Sequence, residues 1–134
     1  MTIRRDLRQL AVEGLARRVP GGASLPGTST GLAFEERDRS GGSEKRSIAA
    51  ACLPFLEGLT TIALDAGTSV APLARLVSGG TTVVSHSAPI IAACTQRDDI
   101  ELMGIGGTYQ RATRSFAGAA AREALSSLSV DVAV

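Results

Sequence analysis

The 134-residue sequence contains no tryptophan, one tyrosine, one histidine and two cysteines, and aromatic residues make up only 3% of it. A core must therefore be built from Ala, Leu, Ile and Val, which fill space with small, stiff side chains. A chain of this length buries only about two-thirds of its unfolded surface. Cys52 and Cys94 lie in Ala-rich helical patterns with no second Cys or His at ligand spacing, so they read as small buried hydrophobes, not as a disulfide or a metal site. Long apolar runs are also missing. The longest, Ile48 to Leu56, is interrupted by Pro54 and falls far short of the roughly 20 residues of a membrane-spanning helix. Basic residues near Met1 are not followed by an apolar segment, so the N-terminus does not read as a secretory signal. The expectation is a cytoplasmic protein with no membrane partner and no cofactor. Hydrophobic residues at 44% with a net charge of +1 argue against general disorder.

The small net charge conceals an asymmetry. Residues 1–23 carry Arg4, Arg5, Arg8, Arg17 and Arg18 against Asp6 and Glu13, a surplus of three positive charges, while the rest carries nine basic and eleven acidic residues. A basic piece joined to a mildly acidic body suits a nucleic-acid contact attached to something else. It equally suits a solvated Arg-rich helix.

Along the chain, Ile3, Leu7, Leu10 and Ala11 form an apolar stripe at helical spacing, which predicts an amphipathic helix over Thr2 to Glu13 with Gly14 ending it. Leu15 to Val19 reads as a short strand closed by Pro20-Gly21-Gly22. Ser24 to Gly42, rich in Gly, Ser, Thr and charge, reads as a linker with a short docking strand around Leu32-Ala33-Phe34. Ser43 offers an N-cap for a helix whose apolar face is Ile48, Ala49, Cys52, Leu53 and Leu56, ending near Gly58 and shortened by Pro54.

From Thr60 a unit repeats. The strand Thr61–Leu64 is followed by Asp65-Ala66-Gly67-Thr68-Ser69 and a helix over Val70 to Val77. The strand Thr81–Val84 is followed by Ser85-His86-Ser87 and a helix over Pro89 to Gln96. The strand Ile100–Ile105 leads to Gly106-Gly107-Thr108, a helix covers about Gly118 to Leu128, and Val130–Val134 begins a fourth strand. This alternation predicts an α/β fold with a parallel, Rossmann-like sheet.

In such sheets ligands sit at the C-terminal strand ends. All three ends here are small and polar. Backbone N–H groups together with the Thr68 and Ser69 hydroxyls suit an anion, and Gly67 lets the backbone approach it. Asp65 suits ligand hydroxyls, so the three loops together fit a phosphorylated polyol or sugar. Taken singly, D-A-G-T-S is also a competent turn and cap, Gly106-Gly107 a flexible turn, and His86 a satisfied polar residue at a strand end. No metal site or catalytic triad can be composed.

Read together, Thr2-Ile3-Arg4-Arg5-Asp6-Leu7 with Gly14-Leu15, Arg17-Arg18-Val19 and Gly21-Gly22-Ala23, then Glu44-Lys45-Arg46 with Ile48-Ala49, then Leu64 to Ser69, Val83 to Ser87, Gly106-Gly107 and Ser115-Phe116-Ala117-Gly118, resemble the DeoR family of bacterial transcriptional regulators. That resemblance implies a sugar-responsive repressor. Residues 1–23 would be the recognition helix and wing of a winged helix-turn-helix, 24–42 a linker, and 43–134 the N-terminal half of a sugar-phosphate sensor similar to sugar-phosphate isomerases but without turnover. Thr2, Arg4, Arg5 and Arg8 would face bases and phosphates, and Arg17 and Arg18 the backbone. Asp65, Gly67, Thr68, Ser69, Ser85, His86, Ser87, Gly106, Gly107 and Thr108 would form the effector pocket, and the assembly would be a homo-oligomer.

The sequence departs from that family where His86 replaces a usual Asn and Ser69 a usual Thr. The chain also reads as starting inside the recognition helix and stopping with the sensor half complete, so it is expected to bind DNA poorly by itself. A stand-alone phosphosugar isomerase and a sensor remnant that does not bind DNA are the competing readings.

Overall fold

The computed structural model describes residues 3–19, 22–24 and 34–134. Helix α1, Ile3–Val12, follows the expected stripe, and Gly14 ends it at φ 72°, a left-handed conformation that glycine adopts without a Cβ penalty. Strands β1 (Arg17–Val19) and β2 (Gly22–Ser24) pair antiparallel with Val19 opposite Gly22. No residue of α1 is buried. Ile3 is 78% and Val12 89% exposed.

Three expectations for the middle of the chain fail. Leu32 and Ala33 lie outside the described residues, and Phe34, expected in a docking strand, instead opens helix α2, Phe34–Arg39. The cause is the charge order Glu-Glu-Arg-Asp-Arg, which places acids in the first turn and bases in the last, as the helix dipole favours. Helix α3 spans Gly42–Cys52 with Gly41 as its N-cap at φ 65°. Ser43 is therefore within the first turn, where its hydroxyl bonds Glu44 Oε2 at 2.9 Å and caps nothing. Ala49 and Leu56 reach the core while Ile48 stays exposed. Pro54 does shorten the end, into a 3-10 turn over Leu53–Phe55.

The sheet itself follows the predicted alternation. Strands β3 (Thr61–Leu64), β4 (Thr82–Ser85), β5 (Glu101–Gly104) and β8 (Val132–Ala133) are all parallel, in the order β5-β4-β3-β8. Sequence order thus reverses between β3 and β8, and in open parallel sheets ligands bind outside the C-terminal ends of the strands at such a reversal. The connection after β3 is the 3-10 turn Ala71–Arg75, not the α-helix expected over 70–77. Pro72 has no N–H to give a carbonyl four residues back, so the turn closes through Leu73 N–H to Val70 O at 2.9 Å. Helix α4 is Ala88–Cys94 and α5 is Ala119–Ser126. Between β5 and α5 lies a hairpin absent from the sequence expectations, β6 (Thr108–Gln110) against β7 (Ser115–Ala117).

Strand periodicity divides the core between the two faces. Ile62, Leu64, Val83, Ile90, Leu73 and Cys94 pack on the face covered by α3, α4 and the 71–75 turn. Val84, Ile105 and Ala121 form a smaller cluster beneath α5. Cys94 behaves as the small hydrophobe expected, and Cys52 is half-buried against the same cluster. At the opposite end of the sheet, Asp131 accepts from Thr60 N–H (2.8 Å), Thr60 hydroxyl (3.0 Å) and Thr61 N–H (2.8 Å), holding β8 in register beside β3.

Candidate functional site

The three strand-end loops converge at one edge, as parallel strands in register require. His86, directly after β4, joins them. Its Nε2 lies 2.8 Å from Asp65 Oδ1 at the end of β3, and its Nδ1 lies 2.7 Å from the Phe116 carbonyl on β7. A carbonyl and a carboxylate can only accept, whereas a neutral imidazole has one N–H to give. Both bonds together require the imidazolium. Burial pushes the His86 pKa down, but the Asp65 carboxylate and the Phe116 carbonyl outweigh it and leave the value raised. The hydrogen bond from His86 lowers the Asp65 pKa against its partial burial, with the Ala66 N–H assisting.

Ser85 and Ser87 have different placements from their neighbours. Ser85 is buried, donates its hydroxyl to Leu64 O at 2.7 Å and accepts Ser87 N–H at 3.1 Å. It ties the ends of β3 and β4 and orients the loop. Ser87 is also buried and forms an isolated bridge to Ser115. Asp65, Ser69, Gly106, Gly107 and Thr108 are exposed at the edge, Gly67 is half-buried and Thr68 is 8% exposed.

Gly107 is a steric requirement. At φ 143° a Cβ there would lie 2.6 Å from the Ala117 carbonyl oxygen, across the start of the β6–β7 pairing. Phe116 supports the hairpin through its ring, whose centroid is 5.5 Å from that of Tyr109.

Sequence reasoning missed what covers the far side of this hairpin. Phe34 of α2 is buried, with the Arg114 and Arg37 guanidinium carbons 5.2 and 5.8 Å from its ring centroid. Arg114 also pairs with Glu35, and Arg37 Nη2 donates to Ala112 O at 3.3 Å. Arg114 has the left-handed φ of 49°, while its own carbonyl accepts Ala88 N–H at 2.9 Å. The findable signal was the pair Thr-Tyr-Gln and Ser-Phe-Ala around a polar Arg-Ala-Thr-Arg, a hairpin pattern.

Of the residues expected to face DNA, Arg4, Arg5 and Arg8 are exposed on α1, and Arg18 is exposed on β1. Arg17 lies on the same strand, and Thr2 is outside the described residues. Among the described residues no helix is long and apolar enough to cross a membrane, and no group of three or more His, Cys, Asp or Glu side chains could hold a metal ion.

These elements define a Rossmann-like α/β domain preceded in sequence by a basic helix and a two-stranded hairpin. The family model of the DeoR C terminal sensor domain matches residues 41–134, and that of the DeoR-like helix-turn-helix domain matches residues 1–29. The chain belongs to the DeoR family. Relatives include the HTH-type transcriptional regulator IolR of Bacillus subtilis, 31% identical over 119 residues, covering 87% of this chain and 47% of that protein. The HTH-type transcriptional repressor CsqR of Escherichia coli is 30% identical over 135 residues, covering 99% and 52%. The lactose phosphotransferase system repressor of Lactococcus lactis is 31% identical over 127 residues, covering 90% and 50%. The chain spans about half the length of the curated relatives it matches.

Proposed function

We propose that the chain forms part of a sugar-responsive transcriptional regulator, in which residues 1–23 read DNA, 24–42 join the two parts and 43–134 sense a phosphorylated sugar. The observation that carries this reading is the junction of Asp65, His86 and the β6–β7 hairpin beside the β3/β8 switch point, in a chain that begins with a basic helix and hairpin. Asp65, Gly67, Thr68, Ser69, His86, Gly106, Gly107 and Thr108 meet the effector, and Ser85 and Ser87 hold the loop behind them. The joining segment contains α2, which docks on the hairpin. Arg4, Arg5 and Arg8 of α1 contact bases and phosphates, with Arg17 and Arg18 on the hairpin at the backbone. The regulator works in the cytoplasm as a homo-oligomer, and the effector acts by binding one subunit arrangement more tightly than another.

Catalysis is disfavoured by the same geometry. His86 held between two acceptors has no free lone pair with which to take a proton, which leaves it no role as a general base.

Thermal denaturation of the 134-residue chain against a panel of phosphosugars tests the sensor. A ligand at a hundred times its Kd stabilises by about 2.7 kcal/mol, which raises the midpoint by several degrees. No stabilisation by any member, in a folded chain, overturns the sensor reading. DNA binding by these residues alone is expected to be weak, because α1 buries none of its apolar stripe. A gel shift showing tight, sequence-specific binding would contradict that expectation.

A further inference from the structure

Residues 86–88 run alongside β7 and are bound to it at each position. Phe116 N–H donates to the His86 carbonyl at 2.8 Å, His86 Nδ1–H donates to the Phe116 carbonyl at 2.7 Å, Ser87 forms a bridge to Ser115, and Ala88 N–H donates to the Arg114 carbonyl at 2.9 Å. The loop after β4 therefore moves only with the hairpin. At its tip, residues 111–114, the hairpin holds α2. Arg114 lies over the buried Phe34 ring and pairs with Glu35, while Arg37 lies over the same ring and donates to the Ala112 carbonyl. Lys45 of α3 adds a bond to the Arg37 carbonyl. Arg114 belongs to both sets of contacts. Among the described residues it is also the non-glycine residue with a positive φ, 49°, a conformation that persists only where its surroundings enforce it.

We propose that the Asp65–His86 bond is a latch on α2: a ligand hydroxyl that takes Asp65 Oδ1 displaces His86 Nε2, and the loop, the hairpin and α2 respond as one unit. This rests on the sensor reading above, in which Asp65 meets the hydroxyls of the effector. The gap of 2.8 Å between Nε2 and Oδ1 is one hydrogen bond long, so an oxygen entering between them separates the two side chains. His86 is tied to Phe116 through both its ring and its backbone carbonyl. Its displacement is therefore passed to β7, and from the hairpin tip to Phe34 and Glu35. Helix α2 lies in sequence between the basic N-terminal part and the sheet, so occupancy at the strand ends changes how the joining segment is held. Such coupling is reciprocal, and freeing α2 must in turn ease entry of a ligand at Asp65.

Limited trypsin digestion of the 134-residue chain tests the latch, because α2 carries a cleavable bond after Arg39, and exposed Arg75 and Arg122 on other elements supply internal standards. When opening is fast, the cleavage rate follows the population of the open form. Asp65→Ala, at a side chain 75% exposed, should speed cleavage after Arg39 by about two- to fivefold, the measure of an exposed ion pair, and leave cleavage after Arg75 and Arg122 unchanged. Adding Asp65→Ala to His86→Ala should have no further effect, since both remove the same bond. In the wild type, each phosphosugar of the panel that raises the melting temperature should also speed cleavage after Arg39. Phe34→Ala, which undocks α2 directly, should tighten binding of that phosphosugar by a similar factor. Unchanged cleavage after Arg39 in Asp65→Ala, or a rise shared equally by all three bonds, overturns the latch and leaves the sensor reading standing. So does a phosphosugar that stabilises the chain without speeding that cleavage. Selective cleavage in Asp65→Ala with no stabilisation by any phosphosugar supports the coupling to α2 and overturns the sensor reading.

Discussion

The region before residue 25 and the region after residue 40 are built on different physics. The later one buries Ile62, Leu64, Leu73, Val83 and Ile90 in a continuous cluster, and burial of apolar surface is the dominant favourable term in folding. The earlier one has a helix of ten residues, none of them buried, leading to a hairpin of three-residue strands. A helix that short is marginal in water unless a packed face supports it. The sheet region therefore has a core of its own, whereas the apolar stripe of α1 has no buried residue.

Substitutions of the same kind in the two regions separate them most strongly. Ile90→Ala, at a side chain with no exposure, should cost about 2–5 kcal/mol in chemical denaturation. Leu10→Ala on α1 should stay within about 0.5 kcal/mol, as surface changes do. Equal losses at the two sites would erase the distinction. Next in size is Gly107→Ala, which drives a methyl into the Ala117 carbonyl. Strained backbone alone costs about 1–3 kcal/mol, so a clearly lower melting temperature and a lost hairpin are expected.

Smaller still is the contribution of the Asp65–His86 pair. The raised His86 pKa makes its stabilisation complete below the ordinary histidine value of 6.5 and removes it as pH rises through the folded value. The lowered Asp65 pKa makes its part complete above the ordinary value of 3.8 and removes it as pH falls through the folded value. Stability from the pair is thus greatest between those ordinary values and declines on both sides. With the Asp65 side chain 75% exposed, solvent screening holds the effect to about 1 kcal/mol or less. His86→Asn should flatten the decline on the alkaline side, as followed by melting temperature from pH 5 to about 9. A profile identical to wild type would show that His86 is not the titrating group. The smallest effect on stability belongs to Arg5→Ala with Arg8→Ala, at exposed positions of α1. The melting temperature should not move, and residual binding to random-sequence duplex should become less steeply salt-dependent, since each phosphate contact contributes about 0.9 to the slope.

How far the sequence could be read tracks the same contrast. The β3, β4, β5 and β8 strands were legible because short apolar runs alternate with polar strand ends, a signal that survives without knowledge of tertiary contacts. The stripe of α1 and its stop at Gly14 were legible for similar reasons. Phe34 was misread because its neighbours carry no apolar period, and its burial comes from Arg114 and Arg37, distant or charged residues that periodicity does not register. The 71–75 turn was misread because the pattern around Leu73 and Val77 looks helical while Pro72 withholds the hydrogen bond. At the candidate site, Asp65 and His86 could be placed at one edge from strand order. Their direct bond and the Phe116 carbonyl that completes it required the hairpin to be positioned in space.

Hydrogen exchange across the 134-residue chain tests the contrast most directly. Amides of Ile62, Leu64, Val83 and Val84 should exchange only through global unfolding, while those of Leu7 to Val12 should exchange with free energies near zero, as in fraying elements. Protection of the α1 amides equal to that of β3 and β4 would contradict the account.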